Sequence, residues 1–230
     1  MNIIITGGSR GIGYAIANEL HQAGHDLLLV GRTNTGLEEA RAKLGGQPLI
    51  LPVDQTQTGA EDELLGFVDR EGFKPDVLIL NAASFYDESR SVLEPDAVYL
   101  ERMLHDNVVA NYRWVQKLAP RIKDGRYPRI IIIGSTAALR PDTSLYGISK
   151  AALRNYTLGL REEMKPHGVG VTLIHPGGTF TERRTPGGAT PPGRLLEAED
   201  IGLLVRTLLS LSPQAVVEEL TIRPMLGDTF

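Results

Sequence analysis

The chain has 230 residues, of which 42% are hydrophobic and 23% charged, with a formal net charge of -4 and no cysteine. That length fits one domain spanning 1–230 around a single layered core, and the acidic balance offers no phosphate-tracking surface, so no nucleic-acid partner is expected. The lack of cysteine excludes a disulfide framework and thiolate chemistry, and the five histidines offer no metal site.

Apolar runs of four to six residues alternate with longer stretches of helical period. In chain order the pattern predicts strands over 2–5, 26–30, 48–53, 76–80, 129–133, 169–174 and 219–222. Helices are predicted over 12–23, 35–44, 59–71, 96–123, 145–165 and 199–211. Strict alternation of this kind implies right-handed crossovers and a parallel sheet with helices on both faces. The helix over 96–123 opens on Pro95-Asp96, with a kink or break expected at Pro120, and Gly168 reads as a stop before the sixth strand. The stretch TFTERRTPGGATPPGR, 179–194, fits neither template and reads as a mobile substrate loop. No apolar run approaches the roughly 20 residues of a membrane span. The chain enters a strand at its second residue, which leaves no room for a cleavable signal, so a cytoplasmic protein without membrane partners is expected.

The first strand runs straight into TGGSRGIG, 6–13, and a helix follows. Small residues at such a turn let the backbone approach a pyrophosphate, and the exposed N–H groups of the helix N-terminus favour its charge. Simple tight packing is the alternative use of the same glycines. Gly7 to Gly11 also fits G-x-S-x-G, which would make Ser9 a hydrolase nucleophile. Against that, the turn follows the first strand rather than a later one, and no HGGG stretch is present. No Gly-Lys-Ser/Thr follows, which excludes a P-loop. His21 and His25 flank Gly24 at a helix end without a third ligand, and read as solvated residues.

Tyr146 and Lys150 are four apart on a predicted helix and so share a face. A neighbouring ammonium favours phenolate and brings the phenol towards the range of a useful general acid. Ser135 ends the fifth strand at the same sheet edge, where its hydroxyl can hold a carbonyl oxygen.

Five segments in order, TGGSRGIG, LNAA at 80–83, NVVA at 107–110, the Ser135/Tyr146/Lys150 set and HPGGTFT at 175–181, resemble the short-chain dehydrogenase/reductase family over essentially the whole chain. The resemblance implies a doubly wound, Rossmann-like α/β three-layer sandwich with a central parallel sheet of about seven strands. It implies a catalytic set of Asn107, Ser135, Tyr146 and Lys150. Tyr146 would donate the proton, Lys150 would lower its pKa and bind the nicotinamide ribose, Ser135 would orient the carbonyl, and Asn107 would kink its helix around a proton-relaying water. The cofactor would be held by Gly7, Ser9, Arg10, Gly11, Ile12 and Gly13, by Arg32, Asp54, Asn81 and Ala82, by Tyr146 and Lys150, and by Pro176, Gly177, Thr179 and Thr181. In this set Thr6 and Asn81 would tie strand ends together, Asp54 would touch the adenine amine, and Thr181 would bind the carboxamide. Two departures stand out: Ala83 replaces the glycine of the NAG motif, and the interval from Ser135 to Tyr146 is short.

The second strand ends LLLVGRT, with Gly31 where an acid would favour NAD(H), Arg32 beside it and Arg10 in the glycine loop. That pattern points to NADP(H). Phe85 and Tyr86 are candidate substrate walls, and Arg183, Arg184 and Arg194 either meet an anionic substrate or are solvated. The activity implied is reduction of a small-molecule carbonyl to an alcohol, or the reverse, in a homodimer or homotetramer. An NADP(H)-binding sensor or scaffold of the same fold is the alternative.

Overall fold

The computed structural model describes residues 1–84, 93, 97–141, 144–181 and 193–228. Seven strands form one parallel sheet: β1 (Asn2–Thr6), β2 (Asp26–Gly31), β3 (Leu49–Pro52), β4 (Val77–Leu80), β5 (Arg129–Ile133), β6 (Gly170–Pro176) and β7 (Glu219–Ile222). Their spatial order is β3-β2-β1-β4-β5-β6-β7. β1 therefore lies between β2 and β4, with Ile5 in register with Leu29 on one side and Ile79 on the other. The winding direction reverses between β1 and β4, and a crevice opens there outside the carboxyl ends of the strands.

The helices are α1 (Gly11–Gln22), α2 (Asn34–Lys43), α3 (Ala60–Arg70), α4 (Ala97–Leu104), α5 (Ala110–Lys123), α6 (Leu145–Met164) and α7 (Ala198–Leu209). Alternation along each strand divides the apolar residues between the two faces. Ile3, Ile5, Leu27, Leu29, Ile131 and Ile133 face α1, α2 and α7 through Ile16, Leu20, Leu37 and Ile201. Ile4, Leu28, Leu78, Ile130 and Leu173 face α3, α5 and α6 through Leu64, Trp114, Leu118 and Leu153. This is the parallel sheet with helices on both faces expected from the alternation, in the doubly wound three-layer arrangement that the resemblance implies.

The single helix expected over 96–123 is corrected in its described part. A π turn, His105–Val109, separates α4 from α5. Pro120 makes no break, and α5 runs through it to Lys123. The proline lies within the last turn on an exposed face, where the Gln116 carbonyl that loses its partner meets water. Gly168 does stop the sixth helix, with φ of 70° after the 3₁₀ turn Lys165–His167. The start signal Pro95-Asp96 lies outside the described residues.

α1 and α7 lie side by side because Gly202 has no side chain. A Cβ there would stand 2.7 Å from the Ala15 carbonyl oxygen and 2.9 Å from its carbon. Backbone cannot yield as a flexible side chain does, so Gly202→Ala is expected to lower stability by about 1–3 kcal/mol. A reduced urea midpoint with an unchanged slope is the expected measurement.

Candidate functional site

The crevice begins with the turn after β1. Gly7 and Gly11 have φ of 65° and 53°, the left-handed region where a Cβ is strained. A Cβ on Gly13 would collide with the Gly7 carbonyl oxygen, so glycine is required for α1 to start this close to the turn. The N-cap of α1, Arg10, supplies no side-chain cap, and its first turn holds no acid. Its N–H groups are thus left to a ligand or water, with the positive end of the helix dipole behind them.

Thr6 joins this turn to β4. Its Oγ1 accepts from the Asn81 and Ala82 amides, both at 3.0 Å, while Asn81 Nδ2 donates to the carbonyls of Thr6 at 3.0 Å and Gly7 at 3.3 Å. No described non-glycine residue has a positive φ, so Ala83 takes the glycine position of the NAG motif without backbone strain.

These elements wall a cavity of about 880 Å³. Gly7, Ser9, Arg10, Gly11 and Ile12 line it, as do Arg32, Asp54, Asn81, Ala82 and Thr181. Gly13, Tyr146, Lys150, Pro176, Gly177 and Thr179 are not among the lining residues. Beside Arg32, Gly36, Glu39 and Lys43 of α2 also line the cavity, so Arg10, Arg32 and Lys43 all face it. Their helical spacing of three and four is visible in the sequence, but only the docked helix turns that face to the cavity. Asp54 Oδ1 accepts from the amide and hydroxyl of Thr56 at 3.0 and 2.8 Å, an Asx turn that fixes the rim. At the opposite rim Ser84, Arg102, His105 and Asp106 were not anticipated; the last three are brought in by the π turn and the end of α4.

Asn107 sits within the π turn, fully buried. Its Oδ1 accepts from the Ser84 amide at 2.8 Å, and its Nδ2 donates to the Ser84 carbonyl and to Ser149 Oγ, both at 3.0 Å. Ser149 in turn donates to the Tyr146 carbonyl at 2.8 Å. A continuous set of hydrogen bonds therefore runs from the cavity rim through the π turn to Tyr146. The Asn107 carbonyl accepts from Asn111 Nδ2 at 2.7 Å.

Lys150 is 2% exposed, donates to the Ile133 carbonyl at 3.2 Å, and places Nζ 5.6 Å from the centroid of the half-buried Tyr146 ring. Burial pulls its pKa down to about 8. Ser135 caps the 3₁₀ turn Thr136–Leu139, its Oγ accepting from the Ala137 amide at 3.2 Å. That turn takes up four residues of the short interval before Tyr146. Because Oγ only accepts there, its hydrogen is left to donate.

After β6, Gly177 donates to the Ile222 carbonyl at 2.8 Å and Gly178 to Asp228 Oδ1 at 3.0 Å. A Cβ on Gly177 would collide with that same carboxylate oxygen. Thr179 is buried and bonds the Gly177 carbonyl at 3.0 Å, and Thr181 lies against Gly11. Arg194 donates to the Gly227 and Leu226 carbonyls at 2.6 and 3.2 Å, tying this segment to the chain after β7. Phe85, Tyr86, Arg183, Arg184 and most of the loop over 179–194 lie outside the described residues. Among the described residues no histidine bonds Ser9, and no cluster is fit to hold a metal.

The pattern of the short chain dehydrogenase family matches residues 1–190, which include the glycine turn, the π turn and Tyr146 with Lys150. The chain belongs to this family. An uncharacterized oxidoreductase of Staphylococcus epidermidis is 29% identical over 225 residues, 96% of each chain. A short chain dehydrogenase from Burkholderia cenocepacia, solved in complex with NADP, is 29% identical with a TM-score of 0.84, covering 96% of this chain and 95% of its own. Serine dehydrogenase from Escherichia coli is 25% identical with a TM-score of 0.86, covering 100% of both chains.

In this short-chain dehydrogenase the buried lysine opposes folding. Its folded-state pKa lies below the ordinary 10.5, so the native state holds fewer protons between pH 8 and 10.5 and gains stability as pH rises through that window. Lys150→Met is therefore expected to stabilise the ligand-free protein at pH 7 by about 3 kcal/mol, a gain that fades to nothing by about pH 10.5. Urea unfolding of both proteins at pH 7 and 10 checks it.

Proposed function

We propose that the protein is an NADP(H)-dependent oxidoreductase that interconverts a small-molecule carbonyl and its alcohol. The observation that carries this reading is the bonded path from the cavity rim to Tyr146, with the buried Lys150 cation 5.6 Å from the tyrosine ring. The cavity fits a dinucleotide: uncapped N–H groups meet the small-residue turn at its centre, and three cations face it. Arg10, Arg32 and Lys43 suit a ribose 2′-phosphate, and the Burkholderia cenocepacia relative complexed with NADP supports the same choice. The turn over 7–13 would hold the pyrophosphate, Asp54 the adenine side, and the segment from Pro176 to Thr181 the carboxamide.

When bound, the nicotinamide supplies or accepts hydride at the substrate carbon. For reduction, Ser135 donates its hydroxyl hydrogen to the carbonyl oxygen and fixes its direction. Tyr146 gives its phenolic proton to that oxygen, and Lys150, a cation below about pH 8, stabilises the phenolate left behind. Asn107 holds the π turn and Ser84 in place, and a water beside it would return a proton towards Lys150. Oxidation of an alcohol uses the same groups in reverse. Exposed Val98, Val109 and Tyr112 on α4, the π turn and α5 suit a homodimer face, and a cytoplasmic single-domain protein is part of the same reading.

NADPH oxidation followed by absorbance across ketones, diketones, quinones and acetoacetyl thioesters, with L-serine tested in the oxidative direction, is the test. Tyr146→Phe is expected to abolish turnover while NADPH binding persists; binding without turnover in the parent would favour the sensor reading. Turnover in the reductive direction is expected to fall as pH rises through about 8, where Lys150 loses its charge.

The variant carrying Arg32→Asp and Arg10→Ala is expected to move preference from NADPH to NADH. An unchanged ratio of kcat/KM for the two cofactors would refute the phosphate site.

A further inference from the structure

Behind Ser135 lies a polar cluster that the reaction as described does not use. His175, in β6, is 0% exposed. Its Nδ1 lies 2.9 Å from the Ser135 carbonyl oxygen, and its Nε2 lies 2.8 Å from Glu219 Oε1. Glu219, at the start of β7, is gripped by the fork of Arg154 from α6, Nε at 2.6 Å and the terminal nitrogen at 3.1 Å. The Arg154 hydrogen bonds, aided by that from His175, hold the Glu219 carboxyl down to about 2.

A backbone carbonyl only accepts, so the bond to Ser135 places a hydrogen on Nδ1. The backbone is shaped to receive the ring. A Cβ on Gly134 would stand 2.9 Å from Nδ1 and 3.2 Å from Cε1, so the ring lies directly against the residue before Ser135. Gly134 donates to the Ile174 carbonyl at 2.7 Å, and the Ser135 carbonyl also accepts from Ala138 at 3.1 Å. The main chain of Ser135 is thus held from β6 on one side and by the 3₁₀ turn on the other. Packing alone calls for an apolar residue here, as at Leu173 and Ile174, whereas histidine needs partners drawn from the segment after β5, from β7 and, through Glu219, from α6.

We propose that His175 is a positioning residue for Ser135. Anchored on Glu219 and Arg154, its ring fixes the Ser135 main chain so that Oγ meets the substrate oxygen where Tyr146 can protonate it. This rests on the carbonyl-binding part given to Ser135 above.

Two substitutions separate a hydrogen-bonding role from a packing role. In His175→Asn the amide nitrogen can reach the place of Nδ1, whereas His175→Leu fills the space without a donor. With a substrate from the panel, His175→Leu is expected to lower kcat roughly ten- to a hundredfold, with the NADPH Kd unchanged, while His175→Asn keeps most of the activity. Amide exchange over 134–139, which needs no substrate, is expected to quicken in His175→Leu and not in His175→Asn. In a Ser135→Ala background, His175→Leu should have no further effect.

Unchanged exchange in His175→Leu, equal losses in both variants, or multiplying losses in the double variant would each overturn the proposal. Loss of turnover in Ser135→Ala beside parental turnover in His175→Leu would overturn it alone. Parental turnover in Ser135→Ala would remove the reading of Ser135, and this proposal with it.

Discussion

The Thr6 hydroxyl is the join on which the crevice depends. Parallel strands β1 and β4 diverge at their carboxyl ends, because the chain leaves them towards opposite faces of the sheet. At that divergence one oxygen accepts two amides, from Asn81 and Ala82, and the Asn81 side chain returns two bonds to the carbonyls of Thr6 and Gly7. Four main-chain groups that would otherwise need water at the floor of the cavity are satisfied within the protein. The glycine turn and the strip after β4 consequently keep a fixed separation, and Gly13, touching both the Gly7 carbonyl and Asn81, sets where α1 begins.

The tyrosine end of the site obeys a different economy. Lys150 is buried against one carbonyl, and burial alone accounts for its lowered pKa. A cation in that position weakens the fold, yet it strengthens any anion formed near it, since the same low-dielectric surroundings that penalise the lone charge intensify its attraction. Asn107 and Ser149 keep the backbone of Tyr146 tied to the rim, so the charge and the phenol retain their relation as the cavity fills.

Much of this could be read from the chain because its signals are local. Five of the six expected helices and all seven strands appear within a few residues of the expected bounds, since strand alternation and helical period record burial directly. The resemblance implied a kink at Asn107, where the π turn 105–109 lies, but the residue pattern alone did not show it, because one extra residue in a turn leaves no mark of its own in composition and the apolar period resumes after it. Pro120 misled for the opposite reason: its signal is strong, but a solvent-facing last turn tolerates it. The glycine turn and the Tyr146 pair were visible as motifs, whereas Lys43, Arg102 and Asp106 join the cavity only through the docking of α2, α4 and the π turn. Likewise Asp228, 50 residues beyond Gly178, reaches it by tertiary folding alone.

The contact between Gly134 and the His175 ring also constrains how such a chain can change over generations. An alanine at 134 would press on the imidazole and on the Ile174 carbonyl oxygen, and a smaller residue at 175 would relieve the first of these contacts. A change at 175 ahead of one at 134 therefore avoids the tightest contact. The steric contact gives the two sites a permitted order of substitution, and a history that reverses it passes through a strained intermediate.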